Sequence, residues 1–361
     1  MPTKEKWIFS SMKKDIDAIV LMNGVDPNVD RSFFYATGIP NGLFEHCVAI
    51  LTRTRAEVIS SELEETSARE AGVKTSVFKD QKHFDELVKR GLRDFSNIGI
   101  NSNELTHANY RLIKRLAPKA KLVDVSKGIE DARLIKQPDE IERIKKACQI
   151  ASKAGEMIPE FVSVGMTENE AAAELNYKMM MLGATAPAFE TDAAFGPSSA
   201  EPHYLPMAKK LRRGQLALFD FGAVHRRYVS DVTRTFSAGP PTAKQKAMYE
   251  TVLEAQLAAL DAIREGVNGK EVDGAARSVI DKSDFKGKFI HGTGHGIGVS
   301  VHDPGGLSPR KDMVLKEGMV LTVEPGVYIR GWGGVRIEDD ILVTKSGCKI
   351  LTPCTKEFRR I

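Results

Sequence analysis

Four carboxylates in the second half of this 361-residue chain sit where a carboxylate is costly. Asp220 lies in QLALFDFGAV, Asp231 in YVSDVTRTF, Glu324 at the end of the apolar run in GMVLTVEPGVYI, and Glu338 in GGVRIEDDILVT. Burying a bare carboxylate in such a run costs several kcal/mol unless an opposite charge or a metal compensates it. For any one acid, an ion pair with Arg234 or Arg336 is the simpler account. Four such acids shift the balance. With one imidazole they make the oxygen-rich set that suits two divalent cations, with Mn, Fe, Co or Zn as candidates. Four single negative charges also balance two double positive ones. A water or hydroxide bridging such a pair is a nucleophile at neutral pH, the device of two-metal hydrolases.

The imidazole has an evident source. Residues 291–305 read HGTGHGIGVSVHDPG and hold His291, His295 and His302, three of the eight histidines in the chain. His295 lies between glycines, which let the backbone bend and approach a metal. The same glycines give GTGHGIG a surface likeness to a dinucleotide-binding loop, but no βαβ unit surrounds it and no helix clearly follows. A loop of turn-forming residues, FGPSSAEPHYLP, carries His203 and Tyr204 just ahead of the Asp220 strand. His46, His83 and His107 stand singly and suggest no site.

These side chains need elements to hold them. Residues 1–130 alternate between short β-rich runs (DAIVLMN, HCVAILT, AEVISS, NIGIN, KLVDVS) and helical patterns such as KHFDELVKRGLRDF and LTHANYRLIKRLAP. That predicts an α/β domain with a mixed or parallel sheet. A helix is expected from Pro138–Asp139 onward, with the domain boundary near 127–136, so the domains are taken as 1–130 and 131–361. In the second domain, capping-box patterns at Thr167/Glu170 and Thr242/Gln245 open helices. Two successive helix–helix–strand blocks predict a duplicated α+β architecture with the site between its halves. The Asp220 and Asp231 runs are spaced as an antiparallel hairpin that would set the two acids side by side.

Composition excludes several functions. Hydrophobic residues make up 42% and charged residues 28%, ordinary for a globular protein. A net charge of +4 gives no support for nucleic-acid binding. Cys47, Cys148, Cys348 and Cys354 are scattered without CxxC spacing, as reduced thiols would be. No signal peptide and no membrane-length apolar run is legible, so the expectation is a soluble cytoplasmic protein without a membrane or nucleic-acid partner.

Taken together, FDFGA, SDVTRTF, HGTGHGIGVSVHDP, VEPGVY and VRIED resemble the pita-bread metallopeptidases, which include aminopeptidase P, prolidase, creatinase and methionine aminopeptidase. Residues 1–130 look like the extra N-terminal domain of the prolidase and aminopeptidase P branch. The resemblance implies a dinuclear ligand set of Asp220, Asp231, His295, Glu324 and Glu338, holding Mn or Co, with Fe or Zn as alternatives. It implies further that His203 and His302 line the substrate site, that His291 sits at its rim, and that Arg336 steadies a ligand or catalytic group. Relatives often have His-Glu where this chain has His302-Asp303, which leaves detailed specificity open.

The implied activity is hydrolysis of the bond between an N-terminal residue and proline, by a metal-bridging hydroxide with Glu324 as proton acceptor. A Xaa-Pro dipeptidase is favoured over a Xaa-Pro aminopeptidase acting on longer peptides. A creatinase-like hydrolase and a non-catalytic binding module are the remaining readings, and the second is disfavoured because all five ligand positions are filled. The partner is a small peptide with proline second, and the assembly expected from the resemblance is a homodimer.

Overall fold

A computed structural model describes residues 3–361. The chain separates into two compact units, the first ending at Arg133 and the second spanning Leu134–Ile361. The first unit runs α1 (Lys4–Ser10), β1 (Ala18–Met22), α2 (Arg31–Thr37), β2 (Val48–Leu51), β3 (Ala56–Ser60), α3 (Glu65–Glu70), β4 (Lys74–Val77), α4 (Gln81–Leu92), β5 (Asn97–Ile100), α5 (His107–Leu116), β6 (Lys121–Asp124) and α6 (Ser126–Leu134), α6 crossing into the second unit by one residue. Its six strands form one mixed sheet in the order β4-β3-β2-β1-β5-β6. The central strands β1 and β2 are buried along their whole length, which is why they read as continuous apolar runs. β4 escaped the sequence reading because KTSV lies at the sheet edge and carries no apolar alternation. The short helices α1, α2, α3 and α6 also went unread.

In the second unit the first half consists of α7 (Pro138–Phe161), α8 (Glu168–Met181), β7 (Ala186–Pro187), β8 (Asp192–Phe195), β9 (Leu216–Phe221), β10 (Ala223–His225), β11 (Tyr228–Val229) and β12 (Val232–Ser237). The second half repeats the plan with α9 (Ala243–Ala262), α10 (Gly269–Asp281), β13 (Gly294–Gly296), β14 (Asp303–Leu307), β15 (Val320–Val323), β16 (Gly326–Ile329), β17 (Gly333–Arg336), β18 (Asp339–Val343) and β19 (Cys348–Ile350). Both expected capping boxes form, and two more open helices of this unit, Gln137 with Glu140 at α7 and Asn268 with Glu271 at α10. Each half has its own apolar core. One gathers Ile150, Ala154, Leu175, Phe195, Phe219 and Phe236; the other gathers Met248, Val252, Val272, Ile280, Leu321 and Ile341. The duplicated α+β plan is therefore present as two packed helix-on-sheet layers.

The glycines around His295 serve a different purpose from the one expected. β13 lies between β14 and β15. A Cβ on Gly294 would strike the Thr322 carbonyl, and one on Gly296 the Pro304 carbonyl. These glycines let three backbones close together, and the dinucleotide-loop likeness is accidental.

The halves are joined along β12 by bonds that cross from one to the other. Glu338 N–H donates to the Thr233 carbonyl at 3.2 Å, and Arg336 N–H to Thr235 Oγ1 at 3.3 Å. Arg234 is buried and donates to Asp339 at 2.7 Å and to the carbonyls of Cys354 and Thr355 at 2.8 and 2.9 Å. Replacing Arg234 by Met would remove one of the two cations paired with buried Asp339, the other being Lys356 at 2.6 Å. It would also leave the Glu338, Cys354 and Thr355 carbonyls without this donor. The expected loss is about 3–5 kcal/mol of unfolding free energy, read from urea denaturation of the purified variant.

Candidate metal centre

The carboxylate-bearing strands converge on one cavity of about 540 Å³. Asp220, Asp231, His295, Glu324 and Glu338 all line it, as do His203, His291, His302 and Arg336. Every candidate ligand and substrate-site residue named from the sequence thus reaches the same space. Their placement differs from the expected hairpin in one respect. In the β9–β12 register Asp220 faces Thr233, not Asp231, and Asp231 lies just outside β12. The connection is not a tight turn, because β10 and β11 form a separate ribbon between the two strands, and β10 also pairs with β7.

Asp231, His295 and Glu338 each offer a ligand atom within 4.8 Å of the others. His295 Nδ1 is 3.1 Å from the Gly296 carbonyl, which only accepts, so Nδ1 carries the proton. The bare Nε2 then faces Asp231 Oδ2 at 3.6 Å and Glu324 Oε1 at 3.5 Å. A lone pair facing two carboxylates is repulsive unless a proton or a metal cation lies between them. Burial also lowers the His295 pKa and keeps the ring neutral, the form that binds a metal. The donors therefore fit the divalent ions expected of them.

The acids are correspondingly reluctant to ionise when no cation is bound. Burial, reinforced by their neighbours' charge, holds Asp231 and Glu338 well above the usual carboxylate range and raises Glu324 as well. Burial lowers His291 and His302.

One cation is built in. Arg336 donates from Nη2 to Asp220 Oδ2 at 2.6 Å, from Nε to Thr233 Oγ1 at 2.9 Å and from Nη1 to Tyr328 Oη at 3.0 Å. Thr233 in turn donates to Glu338 Oε2 at 2.6 Å. His291 has its Nδ1 2.8 Å from the Gly292 carbonyl, so its Nε2 accepts from Tyr328 Oη at 2.8 Å. From α10, Arg277 pairs with Asp273 and donates to the carbonyls of Phe289 and His291, while Asp273 accepts from Thr293. The histidine loop is thereby fixed to a helix. His203 and His302 are exposed at the cavity, and the His302 ring centroid lies 4.3 Å from that of His295.

Several participants were missed in the sequence. Asp340 accepts the Asp231 backbone N–H at 2.8 Å and is pushed up to about 8 by burial. Asp192, opposite Asp220 in the β8–β9 register, also lines the cavity and is pushed up to about 8 by burial and by Asp220. Its signal was an aspartate opening the apolar run DAAF; Asp340 was hidden as the third of three consecutive acids.

Comparison with known proteins agrees with this geometry. Residues 142–345 match the model for metallopeptidase family M24, and residues 11–135 match that for the creatinase/prolidase N-terminal domain. The chain belongs to the M24 metallopeptidases and is a metallopeptidase with a pita-bread catalytic domain. It is 39% identical to the Xaa-Pro dipeptidase of Pyrococcus horikoshii over 366 residues, covering 99% of each. Among solved structures, the Xaa-Pro dipeptidase from Bacillus anthracis superposes with a TM-score of 0.90 at 36% identity over 99% of each chain. The X-Pro aminopeptidase from Thermotoga maritima also reaches 0.90, at 32% identity, covering 96% of this chain and 98% of that one.

The raised carboxyls have a thermodynamic consequence. A carboxyl whose pKa rises on folding binds its proton more tightly when folded, so stability falls as pH climbs from the ordinary carboxylate range through the raised value. The buried imidazoles, with lowered values, oppose this only below about pH 6.5. Chelator-treated protein should therefore melt at a lower temperature at pH 8 than at pH 6.5 in scanning calorimetry. Added Mn²⁺ should raise the melting temperature more at pH 8, where fewer protons compete for the ligands.

Proposed function

We infer that the protein is a Xaa-Pro dipeptidase working with two divalent ions held by Asp220, Asp231, His295, Glu324 and Glu338. The observation that carries this reading is the unprotonated His295 Nε2 directed at Asp231 and Glu324, in a chain about two-fifths identical to Xaa-Pro dipeptidases over most of its length. Mn or Co suits this mixed carboxylate and imidazole set, with Fe or Zn as alternatives. The ions, when bound, supply Lewis acidity toward the scissile carbonyl and acidify a water molecule.

The chain's own residues do the rest. Glu324, with its pKa raised by burial, is suited to take a proton from the attacking water and return it to the leaving proline nitrogen. His302 and His203, exposed at the cavity, stabilise the negative oxygen that develops on the carbonyl carbon. Arg336 and Thr233 hold Asp220 and Glu338 in place, while the Gly292 carbonyl fixes the tautomer of His291 and Tyr328 donates to its other ring nitrogen. An imide bond to proline has no N–H to anchor, so the site must recognise ring shape and carbonyl. The cavity of about 540 Å³ opens at His203 and Leu205 and has room for a small peptide. Operation in the cytoplasm as a homodimer completes the reading.

The structural likeness to an X-Pro aminopeptidase supports a second reading, in which longer peptides are cleaved. Initial rates on a Xaa-Pro dipeptide and a Xaa-Pro-Yaa tripeptide with Mn²⁺ separate the two; higher kcat/KM on the dipeptide is expected, and preference for the tripeptide would reverse the assignment. Asp231→Ala should abolish activity and metal binding together, as measured by metal analysis. His203→Ala should lower kcat by about 10²–10⁴-fold while the metal content stays unchanged.

A further inference from the structure

Asp192 has no role in the ligand set, yet it is the most anomalous acid in the cavity wall. It opens β8, and its backbone pairs directly with Asp220 on β9. Directly opposed residues point to the same face, with Cβ atoms about 5 Å apart, and like charges there repel. Asp192 is 4% exposed. Neither of its carboxylate oxygens, nor Asp220 Oδ1, has a hydrogen-bond partner among the described residues. The Tyr204 backbone amide and the Arg336 guanidinium both favour its charged form, but neither makes a hydrogen bond of normal geometry to it. Glu168, the other buried acid facing it, is satisfied by Tyr204 Oη, Phe195 N–H and Met207 N–H.

Three adjacent carboxylate oxygens without donors indicate an arrangement built for more positive charge than the chain supplies. Once Asp220 turns to a metal, the buried Arg336 loses the carboxylate it pairs with at 2.6 Å. Asp192 is the buried, donor-free carboxylate directly opposite Asp220 in the β8–β9 pair, and the Arg336 guanidinium favours its charged form. We propose that Asp192 is a positioning residue of the metal centre, the counterion that takes up Arg336 when Asp220 binds metal. This rests on the ligand assignment given above. Asp220 has two competing cations to serve, and Asp192 frees it for the metal.

The test is Asp192→Asn, which keeps the shape and removes the charge. Calorimetric titration of chelator-treated protein with Mn²⁺ should show one site weakened by about 10- to 100-fold, the range for lost outer partners of a metal site. Without metal, the variant should melt no lower than the parent, because the carboxyl it replaces is buried without a donor. Adding Arg336→Gln to Asp192→Asn should restore much of the lost affinity, since no guanidinium then competes with the metal for Asp220. Parental affinity at both sites in Asp192→Asn would overturn the proposal. So would a lowered melting temperature of its metal-free form without rescue in the double variant, which marks a packing role. Asp231→Asn serves as control. If it too binds both ions like the parent, the ligand assignment has failed; if only it loses metal, the Asp192 inference alone has failed.

Discussion

The site depends on keeping several carboxylates together in a buried space that contains one permanent cation. Arg336 is that cation, and it is bound on three sides, by Asp220, Thr233 and Tyr328. Through Thr233 its influence reaches Glu338, and through Tyr328 it reaches His291. One guanidinium thus spans from an acid on β9 to an imidazole in the loop before β13. A single positive charge cannot neutralise Asp231, Glu324 and Glu338 as well. The remainder is met by protons at raised pKa values or by divalent ions. Protons and metals compete for the same oxygens, and the fold makes the contest local by excluding water.

The duplicated plan of the second unit explains how these acids meet. Each half has a core built mainly from its own two helices against a sheet, with Leu216 and Cys354 each packing into the core of the other half. The halves contact along β12 through backbone and hydroxyl bonds to the β17–β18 segment. Those bonds set Asp231 beside Glu338, residues more than a hundred positions apart. Behind them, Arg234, Asp339 and Asp340 form a second polar layer, in which Asp340 receives the Asp231 backbone N–H and Arg234 braces Asp339. A metal ligand is held within tenths of an ångström only if its own backbone is held, and here that is done by buried charge as well as by apolar packing.

Much of this could be read from the residues. Asp220, Asp231, Glu324 and Glu338 announce themselves because an acid in an apolar strand contradicts its surroundings. Histidines among glycines do the same. The sheet of the first unit was legible at its centre, where strands are apolar throughout, and failed at the edge strand β4, where pairing and not burial holds KTSV in place. The β10–β11 ribbon was missed for a related reason: the break at HRR looks like a turn, and Arg226 and Arg227 do take positive φ values of 48° and 75°, but the segment pairs outward with β7. Asp192 was missed because register, which no local pattern carries, makes it the partner of Asp220.

Asp303 shows how a single departure in a motif can be resolved by its partner. The acid beside His302 is paired with Lys136 at 3.2 Å, and both side chains are buried. Lys136 immediately precedes the capping residue of α7, so the pair ties the His302 loop to the start of that helix. The space is narrow: a Cβ on Gly298 would strike Asp303 Oδ2 and press on the Lys136 chain. A short acid suits that gap, and a longer one would have to push either the lysine or the loop. Asp303 is absent from the residues lining the cavity, so its carboxylate acts on the backbone that carries His302 and only through it on the substrate. A buried ion pair of this kind contributes little net stability but a great deal of geometry, because either charge alone would be expensive to leave behind.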